Sequence, residues 1–64
     1  MLTASMIETT VDTLIEAVGE LEDRLIDLSD RGFPILDPRR VNVQTRINEL
    51  EKIIGKLNAA KRVL

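Results

Sequence analysis

Seven apolar residues recur at alternating steps of four and three in the first half of the chain: Ile7, Val11, Leu14, Val18, Leu21, Leu25 and Leu28. This spacing holds side chains on one stripe of a helix, the seam by which it packs against another helix. The pattern returns at Val43, Ile47, Leu50, Ile54, Leu57, Lys61 and Leu64, with Lys61 as its one polar member. Paired from the middle outwards, the two series meet as Leu28 with Val43, Leu25 with Ile47, Leu21 with Leu50, and so on to Ile7 with Leu64. The residue numbers of every pair sum to 71 or 72. One antiparallel register therefore satisfies the whole length. The fold class this implies is all-α: a long antiparallel helical hairpin, in effect a two-helix coiled coil.

The segment between the stripes reads as a corner. Gly32 stands where a helix end needs a left-handed residue, and Phe33 is placed to fold back on Leu28. Pro34 stops the helix from resuming. Asp37 followed by Pro38 is an N-cap with proline at the first helical position, and Asn42 is a rival cap one turn later. At the other end, Ser5 with Glu8 three residues on forms a capping-box pattern, with Thr3 as an alternative cap. These signals predict a single domain over 1–64, with helices at 6–31 and 38–62 and a turn at 32–37. Ile35 and Leu36 are apolar enough that they are expected to plug the closed end.

Both stripes are wider than one facing seam requires. Ile15 and Ile26 flank the first, and Ile53 and Ala60 flank the second. A chain of 64 residues buries only about 60% of its unfolded surface, and chains this small usually need a staple. There is no cysteine for a disulfide and no histidine for a metal. Self-association is the remaining staple, so the expectation is a homodimer that closes a four-helix bundle. Ile15, Ile26, Ile53 and Ala60 are its candidate oligomer interface. Gly19 and Gly55 each follow a seam residue, and read either as tolerated surface glycines or as points of close helix approach.

Charge divides the chain. Residues 1–31 carry eight acids and two bases, net -6, while residues 32–64 carry three acids and seven bases, net +4. Together these make the chain's -2. Glu8, Asp12, Glu16 and Glu20 repeat at steps of four, a like-charge ladder that weakens an isolated helix by a few tenths of a kcal/mol per pair. A basic second helix alongside eases that conflict. The ladder therefore serves packing first. Its outer members Asp12, Glu16 and Glu20 form a candidate protein-binding surface. Arg39 and Arg40, in the first turn of the second helix, are candidate phosphate contacts.

Function is bounded mostly by exclusion. Without histidine, cysteine or tyrosine, the usual catalytic bases and nucleophiles are missing, so the chain is not expected to be an enzyme. No cofactor or metal is implied. No apolar run approaches the roughly 20 residues that cross a membrane. The absence of a basic amino-terminal cluster and of cysteine points to the cytoplasm. Net acidity speaks against a dedicated nucleic-acid binder. The leading expectation is a non-enzymatic oligomerisation or adaptor module that binds itself and another protein. The alternative is a small regulator acting on nucleic acid or on a nucleic-acid-binding protein.

Overall fold

The computed structural model describes all 64 residues. Helix α1 runs over Ala4–Asp30 and helix α2 over Pro38–Arg62, and the two lie antiparallel as a hairpin. Its extents are 46 × 16 × 14 Å. The radius of gyration is 14.6 Å, against about 11 Å for a compact chain of this length. The molecule is a rod, and a rod two helices thick has little interior. Only six residues are buried: Ile7, Val11, Val18, Leu28, Val43 and Ile47. All six are seam positions. Val18, Leu28, Val43 and Ile47 form one cluster, against which Leu21, Leu25, Phe33, Leu50 and Ile54 pack half-buried.

The corner is built from backbone hydrogen bonds. Gly32 holds φ +88°, the one positive φ in the chain. The Gly32 N–H donates to the Ser29 carbonyl at 3.0 Å, and the Phe33 N–H to the Leu28 carbonyl at 3.2 Å. This is the double bond of a Schellman cap, and it satisfies carbonyls that the end of α1 would leave free. The Asp37 N–H then donates to the Pro34 carbonyl at 2.9 Å, closing a tight turn over Pro34, Ile35, Leu36 and Asp37. The Asp37 side chain accepts from the Arg39 N–H at 2.9 Å, with Pro38 at the first helical position. Asp37, not Asn42, is thus the cap of α2.

Four details differ from the sequence reading. Helix α1 is capped by Thr3, whose hydroxyl accepts from the Met6 N–H at 3.2 Å. Ser5 lies inside the helix, and α1 begins at 4 rather than 6. Its carboxyl end is Asp30, because Arg31 already serves as the C-cap, so the turn covers 31–37. Ile35 and Leu36 do not plug the closed end; they are 73% and 85% exposed. Phe33 occupies the position against the core, and the turn points its two central side chains outward. Finally, Leu64 lies beyond the end of α2 and is exposed, although its expected partner Ile7 is the most deeply buried residue of the chain. At that open end Lys61 instead reaches across the hairpin, with its Nζ 2.6 Å from Glu8 Oε1.

Two outcomes check this fold. Gly32→Ala meets no atom within 4 Å of the added methyl. Its penalty is backbone strain alone, and the expected loss is about 1 kcal/mol in a denaturation experiment. An unchanged midpoint would mean that the corner is not left-handed. A chain carrying both Leu21→Cys and Leu50→Cys, one rung of the register, is expected to form its disulfide within a single chain. Bonding only between chains would mean that the arms do not fold back.

Candidate functional site

The rod offers surfaces rather than a pocket. The sequence-derived candidates fall into three places on it. The first is the outer edge of α1. Asp12, Glu16 and Glu20 are exposed, and none has a base within salt-bridge distance, since the chain's ion pairs are Arg31–Asp27, Arg39–Asp37 and Lys61–Glu8. Only the Glu8 member of the acidic ladder meets the basic helix. The compensation expected along the whole hairpin is therefore confined to its open end. The edge is left as a row of free carboxylates.

The second place is the corner, where Arg39 and Arg40 are both engaged. The Arg39 guanidinium carbon sits 4.1 Å from the centroid of the Phe33 ring, a cation–π contact, and its Nε lies 3.5 Å from Asp37 Oδ1. Arg40 Nη1 donates to the Phe33 carbonyl at 3.1 Å, while its Nε is buried without a partner. The two arginines hold Phe33 from its ring and from its backbone. Beside Arg40, Leu25, Ile35, Leu36 and Val41 line an open groove of about 210 Å³.

The third place is the pair of broad faces on either side of the seam. Ile15, Ile26 and Ile53 are 53%, 59% and 45% exposed, and Ala60 is half-buried. These four residues do not share one face. At roughly 100° per residue, Ile15 and Ile26 lie within about 20° of one another on α1. Ala17, two residues after Ile15, lies about 200° round the helix on the opposite flank. Ala17 and Arg24 on α1 line a groove with Arg46 and Leu50 on α2. Ile53 and Ala60 follow Arg46 at steps of seven, so they belong to that groove's face. One broad face thus carries Ile15 and Ile26, and the other carries Ile53 and Ala60.

The groove face holds residues that the sequence pattern did not single out. One groove of about 510 Å³ is lined by Ala17, Glu20, Leu21, Arg24, Arg46 and Leu50. A second, of about 410 Å³, adds Arg39, Asn42 and Val43 and shares Leu21, Arg24 and Arg46 with the first. A signal for this pairing was present: Arg24 and Arg46 sum to 70, one short of the seam register, which sets them side by side on one flank. Gly19 and Gly55 have open space beside them: a methyl group added at either would meet no atom within 4 Å, so no helix of this chain approaches them closely. No group of three or more acidic, histidine or cysteine side chains is placed to hold a metal ion, and no helix is long and apolar enough to cross a membrane. No protein-family model matches the chain, and no curated protein and no solved structure matches it.

Proposed function

We propose that this hairpin is a non-enzymatic association module. In this reading two copies dock as a homodimer, closing a four-helix bundle, and the bundle serves as an adaptor for another protein. The observation that carries the reading is the exposure of Ile15, Ile26 and Ile53 beside a seam that buries only six residues. Apolar surface left in water forgoes about 25 cal/mol for each Å² that a partner would cover. The total accessible surface is 4962 Å², whereas a compact monomer of this mass has about 4,100 Å². The difference follows from the rod's 46 × 16 × 14 Å elongation, which leaves broad faces able to supply the roughly 800 Å² that one partner contributes to a standard interface. A second hairpin is the partner that is always at hand, and two-fold dimers are the commonest closed assembly.

The adaptor half of the reading rests on the outer edge of α1. Asp12, Glu16 and Glu20 present carboxylates free of intrachain pairing, which suits a basic surface on a protein partner. The regulator alternative, acting through phosphate contacts at Arg39 and Arg40, draws less support, because both side chains brace Phe33. The cysteine-free composition is in keeping with the cytoplasm as the setting.

Sedimentation equilibrium at micromolar concentration tests the self-association. The expected mass is twice the 7.2 kDa of the chain, falling to the chain mass for Ile53→Glu if the groove face docks and for Ile15→Glu if the opposite face does. A fully helical, cooperatively unfolding wild type at the chain mass would refute the dimer. For the adaptor role, Asp12→Lys with Glu16→Lys is expected to abolish co-purification of a protein partner while circular dichroism stays unchanged. Retained partner binding by that variant would move the site off this edge.

A further inference from the structure

The groove beside Ala17 holds an acid and two bases with no partners inside the chain. Glu20 lines it from α1, Arg24 follows one turn later on the same helix, and Arg46 contributes from α2. All three ion pairs of the chain lie elsewhere. No side-chain hydrogen bond involves Glu20, Arg24 or Arg46. Between these charges the groove is small and aliphatic, with Ala17, Leu21 and Leu50. The exposed Ile53 stands three residues past Leu50 on the same helix, and its stripe is that of Arg46.

An interface between two copies related by a two-fold axis must be complementary to itself. A groove of one sign repels its own copy. This one carries both signs, offset by one turn along α1. An antiparallel two-fold axis placed between Glu20 and Arg24 lays each Glu20 over Arg24 of the other copy, and does so twice. Arg46 lines the same groove from the opposite helix, so two guanidinium forks face one carboxylate. Leu21 and Leu50, which lie next to the axis, then meet their own counterparts, and Ile53 is covered by the Arg46 end of the other copy's groove.

We propose that this face is where the hairpin docks a second copy, antiparallel, with Glu20 of each copy held by Arg24 and Arg46 of the other. The proposal rests on the self-association reading above and names its face. It assigns Glu20 to the dimer and leaves Asp12 and Glu16 free on the outer edge. The face bearing Ile15 and Ile26 stays uncovered in the dimer, open to a further partner.

A charge exchange on the full chain tests it. Glu20→Arg makes the groove wholly basic, and Arg24→Glu with Arg46→Glu makes it wholly acidic. Each variant alone is expected to weaken self-association by at least about tenfold and to sediment at the chain mass with helicity unchanged. Mixed in equal amounts, the two are expected to return to twice the chain mass, because every contact is again between opposite charges. Where a reversal lowers helicity, Glu20→Gln is read in its place. It weakens the dimer if the pairing exists and leaves it unchanged if not. A wild-type dimer indifferent to these substitutions overturns the assignment of this face, while leaving self-association to the Ile15 and Ile26 face. Two monomeric variants that fail to reassociate on mixing overturn it as well. A monomeric wild type would defeat the self-association reading itself, a result distinct from either.

Discussion

Gly32 holds φ +88°, and the hydrogen bonds on either side of it fix the direction in which the chain leaves α1. Everything downstream inherits that direction. The Schellman bonds place Phe33 against the core, the turn at Pro34–Asp37 sets the start of α2, and Asp37 caps it. Because the turn length is fixed, the register is fixed. Because the register is fixed, the seam residues meet and the charges fall on particular flanks. A residue with a side chain would have to hold a conformation that costs roughly 1–2 kcal/mol. Arg39 and Arg40 reinforce the same point from outside, one through the Phe33 ring and the other through its carbonyl.

The two-helix cross-section sets what the molecule presents to its surroundings. Two helices cover only one stripe of each other, which leaves two broad faces and two outer edges in water. What the hairpin offers is surface, sorted by helix geometry into a free acidic edge, an aliphatic face with Ile15 and Ile26, and a mixed-charge groove with Ile53. Each has a different complement.

The register was legible because it is a property of spacing. Hydrophobic steps of four and three need no knowledge of three-dimensional contacts, and Gly32, Phe33 and Asp37 announce their roles by residue type and order. The start of α1 was less legible because Thr3 and Ser5 are both competent caps, and the choice turns on an extended Thr3 backbone that sequence does not encode locally. Ile35 and Leu36 misled because hydrophobicity argues for burial while turn geometry decides where a side chain points. The lining of the groove was hidden for another reason. Glu20 reads as one more member of the acidic ladder, while Arg24 and Arg46 are unremarkable on their own helices and acquire meaning only when the two flanks are laid together. Reading the flanks in the seam's own register would have brought Arg24 and Arg46 side by side.

A register of constant sum also orders the steps of folding. The rung nearest the corner closes a short loop, and each later rung encloses a longer one, at an entropic cost that grows slowly with length. The corner is held by local backbone bonds, and the adjoining rung of Leu28 and Val43 encloses the shortest loop of all. The longest loop is enclosed by the turns around Ile7 and Val11, both buried, where the like-charge ladder of α1 opposes helix formation and the Glu8–Lys61 pair closes the end. A basic group set against Asp12 and Glu16 would lower that repulsion, so the charge state of this edge and the stability of the first turns of α1 are linked.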